Sequence, residues 1–118
     1  MVLIARRGPA EKLAGYWEFP GGKVDGDETL AACLIREIRE ELGIDIVPGR
    51  HLCQSEYNYE HGSFRIVAIE AKSESDDFRL TVHDEVAWVL PEHLDEFALL
   101  PGDKPIIDVL KGEQNEEI

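Results

Sequence analysis

The chain has 118 residues, 43% hydrophobic and 31% charged, and carries a formal net charge of −13. That length fits one domain with one core, burying roughly two-thirds of the surface of the unfolded chain, and the apolar content excludes wholesale disorder. The negative charge repels nucleic-acid backbones and anionic bilayers, so neither a nucleic-acid polymer nor a membrane is an expected partner.

Residues 2 to 5 form a short apolar run that reads as a buried strand. The start, Met1-Val-Leu-Ile-Ala before Arg6-Arg7, is too short for a signal peptide, and no apolar run is long enough to cross a bilayer. Gly8-Pro9 breaks the strand, and a loop runs from there to Pro20-Gly21-Gly22. From Asp27 to Leu42 the pattern is helical. Leu30, Leu34, Ile38 and Leu42 recur every fourth residue, with Asp27 as the expected N-cap and Gly43 as the stop. Two strands follow over 52–58 and 64–71, joined by a turn at His61-Gly62-Ser63, and a third over Val86–Leu90. Short helices are expected over Pro91–Phe97 and Lys104–Leu110, with Pro105 near the start of the latter. Strands interspersed with helices predict an α/β layered domain over residues 1–118, with a polar, acidic tail fraying from about Gly112. Cys33 and Cys53 make neither a disulfide framework nor a zinc pattern, which points to a reducing, cytoplasmic setting.

The informative segment is the helix. Glu37, Glu40 and Glu41 stand at i, i+3 and i+4 and therefore share one face. Like-charged neighbours at these spacings cost a few tenths of a kcal/mol per pair, so a cation that neutralises them would favour the arrangement. Hard carboxylate oxygens suit Mg²⁺ or Mn²⁺, ions that usually bind phosphate oxygens as well. Arg36 and Arg39 offset part of the repulsion, and Arg36 is placed to hold Glu28 or Glu37. The alternative is a solvated helix face laced with salt bridges. Of the net −13, only −3 falls within residues 22–44, so the argument rests on where the glutamates stand and not on overall acidity.

Residues 22–44 match G-x5-E-x7-R-E-U-x-E-E-x-G-U, with U a bulky aliphatic, at every specified position. Chance would produce such a match on the order of once in a billion starts. The pattern is the Nudix box. The chain resembles the Nudix hydrolases, and among them the MutT-like nucleoside triphosphate pyrophosphohydrolases. Similar segments outside the box are Leu3-Ile-Ala-Arg6-Arg7, Trp17-Glu-Phe19-Pro20-Gly21-Gly22-Lys23, His83-Asp84-Glu85 before Trp88, and Leu100-Pro101-Gly102-Asp103-Lys104-Pro105.

The resemblance implies an α/β/α sandwich around a mixed sheet. It also implies a first strand ahead of Leu3–Arg7 that this sequence lacks, and with it either a homodimer formed through the gap or reduced stability. It implies metal ligation by Glu40, Glu41 and the Gly21 carbonyl, with Glu37 as a further ligand or as the base that activates water. Gly22, Glu28 and Gly43 are structural residues of the box, and Arg36 belongs with the catalytic glutamates. Glu85 would add a ligand or base from a separate loop; a plain surface carboxylate is an equal reading. Arg7 matches a nucleotide contact. Phe19 matches a base-contacting aromatic, against a role in core packing, and Asp103 a base-reading position, against a helix N-cap.

An ionised Asp103 only accepts hydrogen bonds, so it favours a donor-rich base edge. Two substrates fit that edge: an oxidised purine such as 8-oxo-dGTP, favoured by the MutT likeness, or CTP and modified dCTP. The region Tyr57-Asn-Tyr59-Glu60 lacks the proline common in ADP-ribose pyrophosphatases, while Tyr59 leaves dinucleoside polyphosphate hydrolases open. A non-catalytic Nudix-fold binding module is disfavoured because no box glutamate is missing.

Overall fold

The computed structural model describes residues 1–59, 62–73 and 75–116, with side chains at all of these except 57, 59, 63, 64 and 113–116. Strand β1 (Val2–Arg7) is the centre of a three-stranded sheet, flanked by β2 (Trp17–Glu18) and β5 (His83–Val89) in the order β2-β1-β5. Both pairings are antiparallel. The mixed character expected of the sheet is confined, among the described residues, to a parallel bridge between Trp17 and Leu99.

Alternation along β1 makes the layers, because successive side chains of a strand point to opposite faces. Ile4 and Val89, with Val2 and Ala87 beside them, pack on Leu94 of a 3₁₀ segment (Pro91–Glu96) and on Ile107 of helix α2 (Lys104–Glu116). Leu3 and Val86 face the other way, onto Ile38 and Leu42 of helix α1 (Leu30–Leu42). The result is helix, sheet, helix, the three-layer sandwich expected from the box. No helix among the described residues is long and apolar enough to cross a membrane.

Helix α1 begins at Leu30, three residues later than the expected start, and its N-cap is Thr29, not Asp27. The Thr29 side chain accepts from the Ala32 N–H at 3.1 Å. Gly26, at φ 57°, turns the chain ahead of it, and Glu28 is drawn back to the Asp25 N–H at 2.8 Å. Asp27 is thereby left in the turn. Gly43 ends the helix in the left-handed conformation, φ 68°, and its N–H returns to the Arg39 carbonyl, a geometry that disfavours any side chain.

Strands β3 (Ile46–Tyr59) and β4 (Gly62–Ser73) form a separate two-stranded antiparallel sheet. Both are longer than expected. β3 runs through Pro48-Gly49, where register shifts between Pro48 and His51 and between His51 and Cys53 accommodate the irregularity, as bulges do. Of the expected turn at His61-Gly62-Ser63, Gly62 and Ser63 belong to β4, and His61 lies outside the described residues. The two-residue strand β2 lies within what the sequence suggested was loop, and α2 continues to Glu116, past the expected Leu110.

Candidate active site

On α1, Arg36 organises the acidic face. Its guanidinium bonds Glu28 at 2.7 and 3.1 Å, Glu37 at 2.7 Å and Glu40 at 3.2 Å, and donates to the Lys23 carbonyl at 3.0 Å. This hold keeps the Glu28 carboxyl far below its usual range, at about 2, with help from the Asp25 N–H. The Glu37 carboxylate lies against the backbone of Gly22: a Cβ built there would sit 2.2 Å from Glu37 Cδ. Glycine at 22 therefore makes room for the carboxylate.

Glu41 differs from its neighbours. Its Oε2 is buried and has no hydrogen-bond partner among the described residues. Burial pushes its carboxyl up to about 7; His83 and the Gly21 N–H pull it back, while Glu18 and Glu37 push it further. A desolvated carboxylate oxygen without a donor is an unmet charge, and a hard divalent cation would meet it. The donor chemistry fits such an ion. Among the described residues, however, no three His, Cys, Asp or Glu groups are gathered tightly enough to hold one, because Arg36 engages Glu37 and Glu40.

The other wall of the site is the strip Trp17–Gly22. Trp17 is anchored by hydrogen bonds to Ala98 and Leu100 and by an edge-on contact with the Phe97 ring. Glu18 accepts from Arg7 Nη1 on both oxygens, at 3.2 and 3.1 Å, and from His83 Nε2 at 2.8 Å. The Phe19 N–H donates to Asp103 Oδ2 at 3.1 Å. Burial raises the Asp103 carboxyl to about 6, and the charge of Glu18 adds to the effect. From Glu18 to Gly22 this one extended segment touches Arg7, His83, Asp103, Glu41 and Glu37 in turn.

The sequence profile of the NUDIX domain matches residues 1–110. The chain belongs to the Nudix family. It is 35% identical over 111 residues to a CTP pyrophosphohydrolase of Escherichia coli K12, a match covering 91% of this chain and 79% of that protein. Over 45 residues it is 49% identical to an 8-oxo-dGTP diphosphatase of Proteus vulgaris, covering 38% of this chain and 40% of that one. Among solved structures, the MutT protein of Methanosarcina mazei Go1 superposes with a TM-score of 0.80 at 30% identity, covering 98% of this chain and 83% of that one. The fold and the relatives together make this chain a MutT-like Nudix hydrolase, an enzyme of the nucleotide pyrophosphohydrolase class.

In this Nudix hydrolase the structure gathers Gly22, Glu28 and Glu37 around Arg36 and sets Gly21 beside Glu41. Glu40 shares their helix face and the Arg36 guanidinium, but its side chain is 59% exposed. Glu85 stands apart on β5, paired with Arg6 at 3.1 Å; no hydrogen bond or ion pair joins it to the α1 glutamates among the described residues. Phe19 packs against the core beneath the sheet, as its alternative reading held. Asp103 caps no N–H of α2 among the described residues; its carboxylate is used 84 positions away, on Phe19. The Tyr59 side chain lies outside those described.

Sequence reasoning missed Glu18 and His83 as members of the site. The available signal for Glu18 was a charged residue between two aromatic ones, Trp17-Glu18-Phe19.

Proposed function

We propose that the chain hydrolyses a nucleoside triphosphate to the monophosphate and pyrophosphate with Mg²⁺, and that it reads a cytosine base through Asp103. The observation that carries the base assignment is the Phe19–Asp103 hydrogen bond. It fixes one carboxylate oxygen and leaves the other free to accept, on a carboxyl that burial raises to about 6. Such an acceptor suits the exocyclic amino group of cytosine. The likeness to the E. coli CTP pyrophosphohydrolase across most of the chain supports this reading. A second reading, 8-oxo-dGTP, draws support from the shorter but denser likeness to the P. vulgaris enzyme, and a guanine edge also offers donors.

A bound divalent cation neutralises phosphate charge and activates water. Glu37, Glu40 and Glu41, with the Gly21 carbonyl, would hold it, Mn²⁺ serving as well as Mg²⁺. Arg36 keeps Glu37 and Glu40 oriented, while Arg7 binds the nucleotide. Initial rates of pyrophosphate release from CTP, 5-methyl-dCTP, 8-oxo-dGTP and dGTP, each with Mg²⁺, test the proposal. The cytosine nucleotides should be turned over fastest. Preference for 8-oxo-dGTP would move the assignment to the second reading, and no turnover of any of the four would defeat both.

A further inference from the structure

The register of the sheet places three charged or polar side chains at one point. Glu18 is paired with Ala5 across β1–β2, so the two share a face, and Arg7 follows Ala5 on that face. A register shift between Arg6 and Arg7 then sets Arg7 opposite His83 on β5, passing over Asp84; bulges commonly re-aim a side chain in this way. This is the face that carries Leu3 and Val86 towards α1. Glu18 closes the triangle through the two hydrogen bonds to Arg7 and the one to His83.

Burial shows which members can meet a substrate. The His83 side chain is 0% exposed and Glu18 is 17% exposed, whereas Arg7 is 25% exposed. Both Glu18 oxygens are occupied, and a carboxylate would repel a triphosphate. Arg7 uses Nε on the Lys12 carbonyl and Nη1 on Glu18; its Nη2 donates to no described residue. Nε and Nη1 of the guanidinium are thus held by the protein, and the donors of Nη2 are left over. Two anchors on different nitrogens, the Lys12 carbonyl on Nε and the Glu18 carboxylate on Nη1, fix the plane of the guanidinium as well as its position.

We propose that Glu18 is a positioning residue: backed by the buried His83, it holds the Arg7 guanidinium ready for the nucleotide and ties that contact to the wall of the metal face. The inference rests on Arg7 binding the nucleotide, as in the function proposed above. Glu18 is suited to the task by place, since its charge is felt by both Glu41 and Asp103, at the phosphate and base ends of the site. A gripped arginine surrenders less side-chain freedom when substrate arrives, which lowers KM more than it raises kcat.

The test is a mutant cycle with a readout that does not depend on turnover. In Glu18→Gln, KM for the best triphosphate should rise about tenfold while kcat changes less than about threefold. The double variant Arg7→Ala/Glu18→Gln should have the same KM as Arg7→Ala alone, because Glu18 acts only through Arg7. Effects that multiply in the double variant, or a loss confined to kcat, would overturn the proposal. Independently, the Arg7 Nη1–H resonance should be slow to exchange with solvent in the wild type and fast in Glu18→Gln; an unchanged resonance would also overturn it. If Glu18→Gln does not fold by thermal melting, Arg7→Lys replaces it: this keeps the charge but loses the planar guanidinium and its separate anchors on Lys12 and Glu18, and a wild-type KM there would overturn the proposal. A wild type that hydrolyses no triphosphate, but whose Arg7 signal responds to Glu18→Gln, would defeat the functional reading and leave the positioning role standing.

Discussion

Glu41 is the residue at which structure and chemistry oppose each other. Its carboxylate is desolvated and one oxygen has no donor among the described residues, so without metal it weakens the fold at neutral pH. Replacing it by Gln removes the buried charge at nearly the same volume. Glu41→Gln should therefore abolish Mg²⁺-dependent pyrophosphate release while the metal-free protein melts roughly 2–5 °C higher at pH 8. Thermal melts in EDTA and a pyrophosphate assay check the two halves; a lower melting temperature would contradict the account of Glu41.

The same residue sets a pH dependence, together with Asp103. Both carboxyls are raised in the folded protein, Glu41 from 4.5 to about 7 and Asp103 from 3.8 to about 6, chiefly by burial. Between the unfolded and folded values the native state binds the extra protons, so this contribution to stability is complete below the unfolded values and is lost as pH rises through the folded ones. Glu28 and Asp84 act in the opposite sense, since arginines lower both; their contribution is lost only as pH falls below the ordinary carboxylate range. In EDTA the melting temperature should climb as pH is lowered from about 8 to about 5, then fall on further acidification. A flat profile over the upper range would show that neither carboxyl is desolvated as described.

At the scale of elements, the strip Trp17–Gly22 organises the site although it supplies only a two-residue strand. It is held at one end by Trp17 in the core and fitted at the other to the α1 carboxylates through Gly21 and Gly22. The fit at Gly22 is specific: a Cβ there would overlap the Glu37 carboxyl group, the movable end of a side chain. Gly22→Ala should therefore displace Glu37 and lower kcat by tenfold or more, roughly the cost of a misplaced catalytic group, with stability changed by less than about 1 kcal/mol. Steady-state kinetics beside a chemical denaturation curve separate these effects. Loss of stability with kcat intact would reverse the assignment.

Across the whole molecule, the buried core divides into two clusters, one on each face of the β2-β1-β5 sheet. The hairpin β3–β4 contributes little to either. Ile46 reaches the α1 cluster, while the apolar run Ile66–Ile69 of β4 is half-buried and belongs to neither cluster. A two-stranded sheet with little buried apolar surface is marginal by itself and opens below the cost of global unfolding. Amide hydrogen exchange should accordingly be at least about tenfold faster in the centre of β3 and β4 than in β1 and β5. Equal protection throughout would show that the hairpin unfolds only with the rest of the domain.

The sequence by itself determined what depends on short spacing. Helix α1, the shared face of Glu37, Glu40 and Glu41, the Arg36 clasp and the Gly43 stop are all set by neighbours within about two helical turns, and all were legible. The α/β layered class followed from strands interspersed with helices, and the three layers from the family resemblance that the box carries. What only the tertiary structure decided are contacts between residues far apart in sequence. Glu18 meets His83 across 65 positions and Phe19 meets Asp103 across 84, and neither pairing has a periodic signature. The β-bulge that turns Arg7 towards His83 is likewise a matter of strand register. Burial finished the division: it set Glu41 apart from Glu40, its neighbour in the chain, because the three-layer packing closes over one carboxylate and leaves the other in water.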